Sequence, residues 1–325
     1  MVRVFFAKTG RPAEVLQVTP TAPIPSPAKG QVRLRVLARP INPSDLLYIE
    51  GLYAIKPELP AWPGFEGVGV IEALGEGVDD LVVGTRVAFA ALGTWQEYVC
   101  VPAHSVVLVP EVLSDAAASQ LYVNPFTAWA LLHKAQVVPG DWILVSPGAS
   151  AVSQILVQLA RERGILTLCT VRRDDHRSRL KKLGATVVVN VSTEPLEEAI
   201  REFTAGRGVA HAFEAVGGSM TERLLPYIVK GGTLHLFGLL SLDTSNLNLA
   251  PLIFRQLQIQ GFWLTEWLKG LTPEVREKMV LELVTALADD SLKLPVEAEY
   301  PLEEVINAVL HAELPGRFGK IILVS

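Results

Sequence analysis

Cysteine is almost absent: the chain has two in 325 residues, Cys100 and Cys169. Two thiols so far apart build neither a disulfide framework nor a four-cysteine structural zinc site, and nothing in them points to an oxidising compartment. Charge is also scarce, at 19% of residues, and its balance of −5 supplies no general field to draw nucleic acid. No stretch approaches the roughly 20 uninterrupted apolar residues of a spanning helix, and Met1 to Gly10 has no long apolar run. The expectation is a soluble cytoplasmic protein with neither nucleic-acid nor membrane partners. No repeat with a period of about 20–50 residues is visible, which excludes solenoids and propellers. The six histidines, His104, His133, His176, His211, His235 and His311, are scattered without metal-ligand spacing.

What the chain does have is length and apolar content. With 325 residues and 50% hydrophobic composition it has material for two domains, each with its own core. The first third reads as short strands over 32–36, 67–74, 86–90 and 96–101, separated by stretches rich in Pro and Gly. From Asp141 the rhythm becomes strand, helix, strand. An apolar run over 142–146 precedes Val152, Ile155, Leu156 and Leu159 at helical spacing, and further strands are expected over 165–171, 187–191, 209–215 and 233–237. Strands alternating with helices imply a parallel sheet with right-handed crossovers, a doubly wound nucleotide-binding domain. Beyond Gln260 the pattern departs again, with a helix over 273–288 and a final strand over 320–324.

The turn between the first of those strands and its helix reads Ser146-Pro147-Gly148-Ala149-Ser150-Ala151-Val152-Ser153. A dinucleotide fold wants a glycine-rich turn there, so that the backbone approaches a pyrophosphate at the positive helix end. Only Gly148 is glycine, and the loop reads equally as an ordinary connection capped by Ser150. Ser150 and Ser153 offer hydroxyls where glycine offers only backbone. At the end of the next strand, where an NAD enzyme places an acid, stand Arg172 and Arg173, with Arg177 nearby. Guanidinium groups in that position suit a 2′-phosphate through charge-assisted bonds and favour NADPH over NADH.

The segment Gly64-Phe65-Glu66-Gly67-Val68-Gly69-Val70 resembles the zinc-site motif of the medium-chain dehydrogenase/reductases, but with Phe65 where the zinc enzymes carry His and Asn42 where they place Cys. A phenyl ring has no lone pair for a metal. The resemblance is therefore to the zinc-free branch, and Glu66 reads as a structural hydrogen-bonding residue. Longer anchors are similar to the 2-enoyl thioester reductases: Ile41-Asn42-Pro43-Ser44-Asp45, Ile49-Glu50-Gly51-Leu52-Tyr53, Gly93-Thr94-Trp95, the run from Val123 to Ala128, Thr170-Val171-Arg172, Leu183-Gly184-Ala185 and Gly261-Phe262-Trp263-Leu264.

That resemblance implies a discontinuous, β-rich GroES-like catalytic domain (1–115 and 265–325) and a Rossmann cofactor domain (116–264), with the active site where they meet. It implies Tyr53 as proton donor, with Trp263 steadying the substrate carbonyl or the phenol. It also implies a cofactor site drawn from Asn42, Asn124, Thr127, Ser150, Ala151, Val152, Ser153, Arg172, Arg173, Phe237, Gly238, Leu239, Leu240, Phe262, Trp263, Leu264 and Lys320. The implied cofactor is NADPH and the implied reaction is reduction of the C=C bond of an α,β-unsaturated carbonyl compound, a trans-2-enoyl thioester first of all, with homodimers formed through edge strands of the cofactor domain. Ala151, Ser153 and Ala54 depart from the glycines usual in the family. Two other readings stay open: a quinone or enone reductase, and a non-catalytic NADPH-binding protein. Asn42 and Asn124, each followed by Pro, otherwise read as turn residues.

Overall fold

The strand Gln31–Pro40 turns Val32, Leu34 and Val36 inward and leaves Arg33 and Arg35 toward solvent, the period-two alternation of a strand with one buried face. It is the centre of a seven-stranded sheet. Glu66–Leu74 and Tyr98–Pro102 pair with it antiparallel, Arg86–Ala90 and Val107–Leu108 continue beyond Glu66–Leu74, and Lys320–Val324 pairs with its C-terminal end. The last strand of the chain is thus part of the sheet built by the first third. Val296–Pro301 lies parallel to it at the edge. Val4, Phe6, Tyr48, Ile49, Trp95, Val305, Val309, Ile321 and Leu323 form one core of this unit, and Val32, Leu34, Val36, Ile71, Val87, Phe89 and Val101 another.

The computed structural model describes Met1–Ser325 and divides it into two units, Met1–Asn124 with Val280–Ser325, and Pro125–Met279. The divisions expected at 115/116 and 264/265 fall instead at 124/125 and 279/280. Both fall inside helices, Val123–Ala135 and Pro273–Ala288, so no loop composition marks them.

Pro125–Met279 holds six parallel strands. In order of occurrence they are Trp142–Ser146, Leu166–Val171, Val187–Asn190, Val209–Glu214, Ile228–Leu236 and Gln258–Gly261, and across the sheet they run third, second, first, fourth, fifth, sixth. This is the doubly wound Rossmann order, and it has the buried apolar strands of a sheet covered on both faces. The helix Ala151–Glu162 buries Ile155, Leu156, Val157 and Leu159. The fold is a Rossmann unit plus a GroES-like unit, and no helix is long and apolar enough to cross a membrane.

Among the helices not legible in the sequence, three bear on the site or the core beside it. Pro43–Ile49, Val123–Ala135 and Val305–Glu313 are each short or begin at an Asn-Pro or acidic segment that also reads as a turn. Asn42 is not a turn residue but the N-cap of Pro43–Ile49, with extended φ and ψ of −102° and 154° and Pro43 in the first helical turn.

Candidate active site

Asn42, Asp45, Glu66, Asn124 and Lys320 come together as a buried polar group in the first unit, none more than 6% exposed. The main-chain N–H of Asn42 donates to Asp45 Oδ2 at 2.6 Å, the capping spacing of residues 42 and 45. Asn42 Nδ2 donates to Glu66 Oε1 at 2.7 Å, and Asn42 Oδ1 accepts from Asn124 Nδ2 at 3.0 Å. The ammonium of Lys320 donates to the same Oδ1 and to the Ile41 carbonyl. The other oxygen of Glu66 accepts the N–H groups of Tyr122, at 3.1 Å, and Val123, at 2.8 Å. Those N–H groups open the Val123–Ala135 helix and have no partner within it.

Burial sets the charge states. It pushes the Asp45 carboxyl up to about 8, against the opposing main-chain bond from Asn42 and the Lys320 charge. Burial also raises Glu66, opposed by the donors from Val123 and Asn42, and lowers Lys320 to about 8, opposed by Glu66 and Asp45. At neutral pH a value of about 8 leaves Asp45 mostly protonated beside the Lys320 ammonium.

Gly64 makes the placement of Glu66 possible. Its φ is +102°, and a Cβ there would run into the Thr94 and Trp95 side chains. The next residue, Phe65, lies between two tyrosines: its ring centroid is 5.6 Å from Tyr48 and 5.3 Å from Tyr53, the latter tilted by 50°. Tyr48 is buried, and its phenol is pushed above its ordinary value by that burial and by Glu58. Tyr53 is half-buried, and its main-chain N–H is tied to the Leu47 carbonyl at 3.0 Å. The Pro43–Ile49 helix thereby fixes the loop that carries Tyr53.

These residues do not fit a zinc ion. Residue 65 presents a phenyl ring packed between tyrosines, residue 42 presents an amide whose oxygen accepts from Lys320, and no three His, Cys, Asp or Glu cluster anywhere as a metal-holding set.

The second unit holds Thr127, Ser150 to Ser153, Arg172, Arg173, Phe237 to Leu240 and Phe262 to Leu264. Ser150 is the N-cap of Ala151–Glu162: its Oγ accepts the Ser153 N–H at 3.2 Å and donates to Ser153 Oγ at 2.8 Å. The two hydroxyls expected to face a ligand therefore engage each other, and Ser153 is fully buried. The N–H groups of Ala151 and Val152, in the first helical turn, are left for a ligand. Gly148 is glycine for packing, since a Cβ would stand 2.9 Å from Cys169 Cβ and 3.1 Å from Leu180.

The two arginines differ. Arg173 pairs with Asp175 in a forked contact, Nη2 to Oδ2 at 2.8 Å and Nε to Oδ1 at 3.1 Å, whereas the Arg172 guanidinium is exposed with no side-chain bond. Arg177 is occupied by the Val188 carbonyl, Asp174 and Glu194.

Phe237 and Gly238 are half-buried and Leu239 and Leu240 exposed, at 59% and 51%. Phe262 packs on Trp267 at 6.3 Å, and Trp267 packs on buried Trp129, itself stacked on His133 at 4.8 Å. Trp263 caps the helix Leu264–Lys269. This aromatic group and the bond from Lys320 to Asn42 were missed in the sequence. The i, i+4 spacing of Trp129 and His133, and of Trp263 and Trp267, was the available signal for the first.

Residues 28–111 match the alcohol dehydrogenase GroES-like domain and residues 151–285 the zinc-binding dehydrogenase domain. The mitochondrial enoyl-[acyl-carrier-protein] reductase of Xenopus tropicalis is 34% identical over 98% of this chain and 94% of its own length, and the Homo sapiens protein of that name is 32% identical over 97% and 86%. Among solved structures, the Escherichia coli quinone oxidoreductase complexed with NADPH superposes with a TM-score of 0.92 at 28% identity, covering all of both chains. Sequence, domain matches and fold agree that the chain belongs to the medium-chain dehydrogenase/reductase family of oxidoreductases.

Proposed function

We propose that the chain is a zinc-independent, NADPH-dependent reductase of C=C bonds conjugated to a carbonyl, with trans-2-enoyl thioesters as its substrate class. The observation that carries this reading is Tyr53, half-buried on Phe65 at the position where a zinc enzyme of the family would ligate metal, and anchored to the helix that the buried polar group caps. The enoyl-[acyl-carrier-protein] reductase relatives support the substrate class, and the NADPH complex of the quinone oxidoreductase supports the cofactor.

NADPH, when bound, supplies hydride to the β-carbon of the substrate. The residues that would hold it are those of the Ala151–Val152 helix start and Arg172, whose uncommitted guanidinium suits a 2′-phosphate. The protein's own chemistry then concerns the enolate left on the α-carbon and carbonyl oxygen. A tyrosine hydroxyl, with an ordinary pKa of about 10, is a loaded donor at neutral pH and can both stabilise that charge and protonate the α-carbon. One hydrogen bond aimed at developing charge is worth about 3 kcal/mol of barrier.

A second reading, reduction of quinones or simple enones, is favoured by the full-length match to a quinone oxidoreductase. NADPH oxidation followed in parallel with crotonyl-CoA, a longer trans-2-enoyl-CoA and a quinone, against NADH, separates the two. NADPH-dependent enoyl reduction supports the first reading, quinone-only turnover the second, and tight NADPH binding without turnover a binding role. The strand Gln258–Gly261 pairs on one side only, at the edge of the six-stranded sheet, which supports a homodimer through that edge. A monomer by sedimentation at micromolar concentration would refute it.

A further inference from the structure

Glu214 ends the fourth strand of the Rossmann sheet, fully buried, and its register partner on the first strand is Ser146. The strand order reverses between those two, since the first three strands run outward from Trp142–Ser146 in one direction and the last three in the other. A doubly wound sheet binds a dinucleotide across that point, one mononucleotide half to each set of three strands. The Ser150 helix start and Arg172 belong to the first set. The loops after Val209–Glu214 and Ile228–Leu236 belong to the second, which leaves them the nicotinamide half.

A buried carboxylate is costly unless donors meet it, and the donors here come from the chain that follows. Glu214 Oε1 accepts the Val216 N–H, and Oε2 accepts the Gly217 N–H at 3.0 Å and the Thr221 hydroxyl at 3.1 Å. Gly217 and Gly218 take φ of +80° and +55°, which lets the chain turn around the carboxylate without strain. The turn in its place carries the next loop. The Leu240 N–H donates to the Ala215 carbonyl at 2.9 Å and the Ser241 N–H to the Val216 carbonyl at 2.8 Å, beside the bond from Phe237 to the Glu214 carbonyl at 3.0 Å. Gly238 lies so close that a Cβ would stand 3.0 Å from Ala215 Cβ. Both loops of the nicotinamide half therefore hang on one side chain.

We propose that Glu214 is a positioning residue for the nicotinamide half of NADPH, holding residues 215–218 and, through them, 237–241 in the conformation that receives the ring. It acts through those loops, because both of its oxygens are committed to donors within the protein. The proposal rests on the NADPH reading and is independent of Tyr53 and of which conjugated carbonyl is reduced. A carboxylate that served stability alone would leave both halves of the cofactor equally affected, whereas a positioning residue acts on the nicotinamide half.

The test uses the full-length protein with Glu214→Gln, which keeps the shape but presents an amide N–H to donors, and Thr221→Val, which withdraws one donor from the carboxylate. Affinity is read without substrate for two ligands: NADPH, by its fluorescence, and 2′-phospho-AMP, the adenosine half alone, by calorimetry. Glu214→Gln is expected to weaken NADPH about 10-fold while 2′-phospho-AMP stays within about 2-fold, because only the nicotinamide half loses its preorganised loops. Thr221→Val is expected to act in the same sense, at about 3-fold on NADPH. If Glu214→Gln fails to fold, Thr221→Val carries the same test.

Equal losses for the two ligands overturn the proposal, as does NADPH affinity that neither variant changes. Failure of the underlying reading is seen separately: an unsubstituted protein that binds neither ligand removes NADPH as the cofactor, and the proposal with it.

Discussion

The polar group around Asn42 and the arginine turn after Leu166–Val171 carry similar chemistry in opposite settings. In the first, every member is buried and its charge is answered inside the protein. In the second, Arg172, Arg173, Asp174 and Asp175 are all exposed, and the pair formed by Arg173 and Asp175 is screened by water. Buried groups are positioned by the fold and make a rigid platform for a proton donor. Exposed ones are available to a ligand that brings its own charge. The largest expected effects therefore lie in the first region.

Glu66→Ala should be the most damaging substitution. It leaves Asn42 Nδ2 and the N–H groups of Tyr122 and Val123 without their acceptor, at about 1–3 kcal/mol for each buried donor, and an expected loss of about 3 kcal/mol or more. A loss of unfolding free energy in urea below about a third of that size would show that water replaces the carboxylate.

A third setting lies in the second unit, where His235 is buried with no counter-charge. Its ring stacks on Phe213 at 4.9 Å, its Nε2 meets His211 Nδ1 at 3.1 Å, and burial, then His211 and Lys134, lower it to about 4. The native pKa lies below the unfolded value near 6.5, so the stability tied to the neutral ring is complete above about 6.5 and is lost as pH falls through about 4. The loss expected across that window is up to about 3 kcal/mol. His235→Leu should flatten the acid limb of stability against pH, and an unchanged limb would place the acid sensitivity elsewhere.

Tyr53→Phe should lower kcat about 100-fold, or about 2.7 kcal/mol of barrier, with the NADPH Michaelis constant changed less than about 2-fold. Turnover equal to that of the unsubstituted protein would leave Tyr53 as a packing residue on Phe65.

How much of this was legible follows the same division. Period-two and period-3.6 apolar patterns are written by burial, so the Rossmann strands and the helix Ala151–Glu162 were readable, as was the return of the last strand to the first third once the family resemblance supplied topology. Asp45 at capping distance from Asn42 was on the page as a spacing, but Lys320 lies 278 residues from Asn42, and no local pattern records that contact. The two hydroxyls of Ser150 and Ser153 were readable as residues but not as partners, because a serine at the start of a helix looks the same whether it caps the helix or faces a ligand.

The smallest effects belong to the exposed turn, and they discriminate between two arginines that sequence treats alike. Arg172→Ala should raise the NADPH Michaelis constant about 10-fold, since removing a charge-assisted contact costs about 1.4 kcal/mol or more, while leaving NADH unaffected. Arg173→Ala should raise it less than about 2-fold, because that guanidinium is already engaged by Asp175 through a fork of two bonds. Asp175→Asn, which loosens the fork, should then make Arg173 matter: in that background Arg173→Ala is expected to cost more than it does alone. Equal losses for the two arginines in the unsubstituted protein would mean that the ion pair opens freely when NADPH arrives, and that solvent screening, rather than the Asp175 carboxylate, decides which charge meets the cofactor.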